Sequence, residues 1–132
     1  MSRVTRWLTS LALLAVLAAC SSQTPEEQAM ATAQECYRQL MDGNGEAFLE
    51  GRAGMDSIPQ SYREQLLVSY RQFAHMQRQA HRGVTSVEAT RTAMDSTLHV
   101  MQVFLLINYA DSTKEEIVVP MVEDGEGLWK MK

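Results

Sequence analysis

Three histidines, two cysteines and four tyrosines are the side chains of this 132-residue chain best suited to proton transfer, nucleophilic attack or metal binding. General acid–base work needs two such groups within reach of one bound molecule. His99 and Tyr109 share one face of the strand-like segment 98–109, with Tyr37 or Tyr62 to oppose them. Ten residues of strand, however, separate them by about 33 Å, so they cannot serve one site. No Asp or Glu interrupts the apolar middle of a strand-like run. His75 and His81 project about 120° apart around a helix. Neither H-x-x-x-H nor H-E-x-x-H occurs, so no metal site and no cofactor is expected. Cys36 lies beside an apolar helical stripe and reads as a buried thiol. These placements favour a protein that binds over one that catalyses.

The charged residues are more ordered. Arg71, His75, Arg78 and Arg82 follow one another by four, three and four residues. That spacing makes one basic stripe, a candidate for docking on an anionic surface. The acids collect instead at the turns around Asp111, Glu115, Glu116, Glu123, Asp124 and Glu126. A formal net charge of −4 and a pI near 5.3 argue against nucleic acid as a partner.

The first twenty residues are an address rather than part of the folded body. Arg3 and Arg6 precede an apolar run from Trp7 to Leu17, which is too short for the ~20 residues of a membrane span. The run ends in Leu17-Ala18-Ala19-Cys20, which resembles the lipobox of bacterial lipoproteins. The resemblance implies cleavage before Cys20 and acylation of its thiol and new amino group. Two or three acyl chains anchor stably where one does not. Residues 1–19 are then the signal peptide, 20–24 a short tether and 25–132 the domain. Loss of Arg3 and Arg6 makes the mature chain more negative than −4. The expected location is the cell envelope, with the outer membrane favoured because Ser21, not Asp, follows the cysteine.

Apolar periodicity orders the rest. Thr24-Pro25-Glu26-Glu27 is a helix start, and Met30, Ala33, Tyr37, Leu40 and Met41 form a stripe that Asp42-Gly43-Asn44-Gly45 stops. Residues 46–50 form a short helical turn. A long helix over 59–81 places Tyr62, Leu66, Tyr70, Phe73, Gln77 and Ala80 on its expected inner face. From Gly83 onward the period becomes two, with strands over 84–94, 98–109, 117–122 and 128–131 and turns at Asp95, Asp111 and Asp124. The order predicts an α+β domain, with N-terminal helices packed on a curved four-stranded antiparallel sheet.

Segment 98–109 is apolar on both faces in its middle: Met101, Val103, Leu105 and Ile107 on one, and Val100, Phe104 and Leu106 on the other, interrupted by Gln102 and Asn108. A sheet with helices on one side should alternate, so a ligand, a curl of the sheet or a second copy is expected to cover the other face. Helices followed by such a sheet, the break at Gly43 to Glu46 and the closing Gly127-Leu128-Trp129-Lys130-Met131 resemble the nuclear-transport-factor-2-like (NTF2-like) superfamily, with its cone-like, cystatin-like sheet. They are similar above all to small envelope lipoproteins of Bacteroides-type bacteria. That superfamily holds isomerases, dehydratases and pure binding modules. The two-faced apolar strands point to binding of a small apolar or amphipathic ligand, in a candidate pocket lined by Tyr37, Tyr62, Phe73, Met101, Val103, Leu105, Ile107 and Trp129. Strands and resemblance leave open a homodimer through the sheet, an envelope partner, or an isomerase- or dehydratase-like activity.

Overall fold

The computed structural model describes residues 23–132; the expected signal segment and Cys20 lie outside them. Helix α1 spans Pro25–Met41, α2 Gly45–Glu50 and α3 Gln60–His81. Strands β1 (Val84–Asp95), β2 (Val100–Tyr109), β3 (Lys114–Glu123) and β4 (Trp129–Met131) follow. They form one antiparallel meander in the order β1-β2-β3-β4. The α+β arrangement expected from the sequence is the one observed.

Local chemistry explains the element ends. The Thr24 hydroxyl accepts the Glu27 N–H at 3.2 Å, Pro25 takes the first helical position, and Glu26 and Glu27 face the positive end of the helix dipole. The Asn44 side chain caps α2 through the Ala47 N–H. Each hairpin turn is closed by an aspartate accepting backbone N–H groups. Asp95 takes those of Thr97 and Leu98, Asp111 that of Thr113, and Asp124 those of Glu126 and Leu128.

The core lies between α1 and the odd-numbered face of β2. Ala29, Ala33, Cys36, Leu40 and Met41 of α1 and Phe48 of α2 pack on Met101, Val103, Leu105, Ile107 and Tyr109. Small residues along α1 let it lie close to the sheet. Gln34 crosses the seam to accept the Ala89 N–H at 2.9 Å, where a bulge between Ala89 and Arg91 interrupts the β1–β2 ladder.

The structure departs from one sequence expectation and details another. First, α3 is turned by roughly 60° from its expected setting, at 100° per residue. Its inward stripe is Arg63, Leu67, Tyr70, Ala74, Gln77 and His81, while Tyr62, Phe73, Met76 and Ala80 face outward. The reason is its neighbour: α3 meets α1 and α2, with Leu67 and Tyr70 seated against Gly45, and barely touches the sheet. Second, the even-numbered face of β2 is covered unevenly: Val100 is buried, whereas Gln102, Phe104, Leu106 and Asn108 are half-buried. The core cluster contains no even-numbered β2 residue, and Val118, paired with Phe104, stays exposed. The Arg91 guanidinium lies 3.5 Å above the Phe104 ring.

Candidate functional site

The residues expected to line a pocket separate into three groups. Met101, Val103, Leu105 and Ile107 are buried core under α1 and line no opening. Trp129 packs on the same core from β4, with its indole N–H buried and unpartnered. Tyr62 and Phe73 lie on the outer flank of α3, away from the sheet. The expected cavity inside the sheet is therefore filled by the protein's own side chains. The physical cause is the small-residue face of α1, which admits the helix where a ligand was expected. Of these expected lining residues, Tyr37 borders a hollow of the described residues.

That hollow, about 240 Å³, opens where α1, α2, α3 and the β3–β4 edge converge. Tyr37, Phe48 and Tyr70 form its aromatic wall, one from each helix. Phe48 stands edge-on to both tyrosines, with ring centroids 5.3 Å from Tyr37 and 4.9 Å from Tyr70. Val119, Pro120 and Met131 supply the sheet side. Arg52 enters from the loop after α2 and donates to the Tyr70 hydroxyl at 2.8 Å. The loop is fastened to β4 by two backbone bonds of 2.7 Å, Ala53 N–H to Met131 C=O and Met131 N–H to Gly51 C=O. Lys132 borders the opening. Burial raises the Tyr37 pKa, an effect the nearby Arg52 charge partly offsets. Beneath the hollow, Cys36 touches the Gly51 position, and burial likewise raises its thiol pKa. Aromatic walls with one fixed guanidinium suit a flat or apolar group carrying a negative charge.

A second polar cluster sits at the opposite end of β2. His81 Nδ1 lies 3.0 Å from Asp111 Oδ2 and 3.2 Å from the Thr113 hydroxyl, which also donates to Asp111. The His81 ring stacks on Tyr109 at 4.0 Å, and the Tyr109 hydroxyl donates to Glu115 at 2.7 Å. Burial and then the Glu115 hydrogen bond raise the Tyr109 pKa. Asp111 falls to about 2, chiefly through the Thr113 hydroxyl, with the Thr113 N–H and His81 adding to it. Backbone bonds from Ala110 N–H to Gly83 C=O and Asp111 N–H to His81 C=O complete the contact. This is a clamp that fastens the end of α3 to the β2–β3 turn. No hollow opens on the His81–Asp111 pair among the pockets of the described residues. His99 is remote from it, exposed in the β1–β2 turn with φ of 53°. Among the described residues no three His, Cys, Asp or Glu side chains come together to hold a metal.

The chain matches no family model and no curated protein. Among solved structures it is similar to a Campylobacter jejuni protein described as an NTF2-like transpeptidase, with a TM-score of 0.58 and 10% sequence identity. The likeness covers 75% of this chain and 92% of the other. The fold is NTF2-like.

Within this NTF2-like domain, sequence reasoning found Tyr37 but missed Phe48, Arg52 and Tyr70 as its companions. Phe48 was visible only as an apolar residue in a short turn, and Tyr70 as one of several on α3. Arg52 carried a faint signal, as a lone cation in a glycine-flanked loop. Of the expected basic stripe, Arg71, His75 and Arg78 are exposed along one flank of α3, whereas Arg82 lies past the helix end in a left-handed cap with φ of 64° and leaves the helical spacing. Arg71 reaches a shallow hollow beside Gly43, Asn44 and Gly45. No helix of the described residues is long and apolar enough to cross a membrane.

Proposed function

We propose that this chain is a cell-envelope protein, held to a membrane by acyl chains on Cys20, whose NTF2-like domain holds a small amphipathic anion without transforming it. The observation that carries the reading is Arg52. It is half-buried beside aromatic rings, its hydrogen-bond partner is the neutral Tyr70 hydroxyl, and among the described residues no carboxylate forms an ion pair with it. A partly desolvated cation with only a neutral partner favours an incoming anion. The hollow is smaller than the ~300–1,000 Å³ of typical ligand pockets. It therefore suits one ring or short acyl group bearing a carboxylate, or the end of a longer molecule.

The lining also favours binding over chemistry. A general base works best with a pKa near the ambient pH. Tyr37 is shifted upward, and no His, Asp or Glu lines the hollow. Transpeptidase chemistry, taken from the Campylobacter protein's description, needs an activated nucleophile. Cys36 is a buried thiol with a raised pKa, the reverse of activation.

Calorimetric titration with benzoate and hexanoate tests the reading. Arg52→Gln should weaken binding by about 10- to 100-fold, from the 1.5–3 kcal/mol of a charged hydrogen bond. Tyr62→Ala should leave it unchanged. Failure of both probes to bind, or equal binding by Arg52→Gln, overturns the ligand reading. The intact mass of protein extracted from its membrane tests Cys20 separately.

The half-buried sheet face supports a second reading, a homodimer through Phe104, Leu106 and Val118. Sedimentation of Val118→Lys decides it. The wild type should be dimeric and the variant monomeric; a wild-type monomer rejects it.

A further inference from the structure

We infer that the end of the sheet carrying the β1–β2 and β3–β4 turns seats in the surface of a lipid bilayer, with Met94, Leu98 and Leu128 entering it. The inference rests on the reading of Cys20 as the acylated residue and concerns where the body then lies.

In a meander of this order both turns fall at the same end of the sheet. They stand roughly 10 Å apart, two strand spacings. Met94, Leu98 and Leu128 are 64%, 56% and 54% exposed there, although the domain has a well-filled core. The chain enters the fold at that same end. Gln34 bonds Ala89, and Arg38 and Met41 lie beside Val84 and Val87, so α1 runs antiparallel to β1. Ten helical residues back from Gln34, about 15 Å at 1.5 Å per residue, Thr24 lies toward the Asp95 end. Only four residues connect Thr24 to Cys20, a reach of about 14 Å. An anchor this short holds the α1 start, and the two turns beside it, against the bilayer.

Charge selects the surface. Asp95 and Asp124 spend a carboxylate oxygen capping their own turns, while Glu123 and Glu126 remain exposed. These acids fit ammonium-bearing zwitterionic headgroups rather than anionic ones. The basic stripe is on α3, whose last residue is clamped to the β2–β3 turn at the far end. That turn lies about 35 Å away along β1.

The test uses the full chain, extracted and reconstituted into phosphatidylethanolamine–phosphatidylcholine vesicles. Nitroxide labels are placed singly through Leu98→Cys, Leu128→Cys and Met76→Cys. Cys36 is buried and does not compete; Met76, on the outer flank of α3, is the comparably exposed control at 65%. The expected result is several-fold higher oxygen accessibility and lower nickel-chelate accessibility at 98 and 128 than at 76. An acylated protein whose three labels meet the chelate equally overturns the seating while the anchor stands. Shielding at 76 instead of 98 and 128 places α3 on the membrane and also overturns it. An intact mass without acyl chains removes the anchor, and the seating falls with it.

Discussion

Helices α1 and α3 are both amphipathic, yet only one is spent on the core. Along 17 residues α1 buries Ala29, Ala33, Cys36, Leu40 and Met41. Along 22 residues α3 buries Ala74 alone and leaves Tyr62, Val68, Phe73 and Met76 exposed. The difference lies in what each helix meets. The small residues of α1 let it lie against the inner face of the sheet, so its apolar stripe is sealed. The neighbours of α3 are the narrow α2 and the end of α1, and contact there is governed by Gly45 and Ala74, which allow close approach. An apolar stripe thus shows where a helix could bury surface, whereas the partner's shape selects which side is buried.

The sealed side should break first. Leu105→Ala, at a fully buried site beneath α1, should cost about 2–5 kcal/mol in urea unfolding. A loss below about 1 kcal/mol would mean that the α1 seam is slack and the contrast with α3 overstated. Next comes Gly51→Ala, whose methyl group would run into Cys36 Sγ. Overpacking there should cost about 1–3 kcal/mol, and Cys36→Ala in the same chain should recover part of it. Purely additive losses would place the strain elsewhere.

The clamp at the end of α3 should give a smaller effect that depends on pH. The native Asp111 pKa is lowered from 3.8 to about 2, so its contribution is present above about pH 4 and lost as pH falls toward 2. Asp111→Asn should therefore have a lower urea midpoint than the wild type near neutrality, and the two should converge across that interval. A gap that persists at pH 2 would show that shape rather than charge holds the turn. Smallest of all, Met76→Ser on the outer flank of α3 should stay within about 0.5 kcal/mol. A larger loss would reveal that this flank is covered in the native assembly.

Local signals in the sequence were reliable where one residue controls its own neighbourhood. Thr24-Pro25 starts α1, and Asp95, Asp111 and Asp124 close the hairpins, because side chain and backbone lie within a few residues. The separation of His99 from Tyr109 was equally legible, since strand rise sets it. The companions of Tyr37 were not. Phe48, Arg52 and Tyr70 come from α2, the following loop and α3, and nothing in their spacing records that they converge. Nor did the sequence reveal His81, which meets Tyr109 and Asp111 only because α3 returns to the β2–β3 turn.

By itself, then, the sequence determined the element order, the antiparallel meander and the aspartate-closed hairpin turns. These follow from period, turn chemistry and covalent adjacency, all short-range. Only the tertiary structure decided that α1 fills the sheet's inner face, that α3 turns its apolar flank outward, and that a hollow opens among three aromatic rings and Arg52. Those outcomes depend on side-chain volumes meeting across the chain, and a hydrophobic pattern specifies which surfaces seek burial without specifying which of them finds a partner.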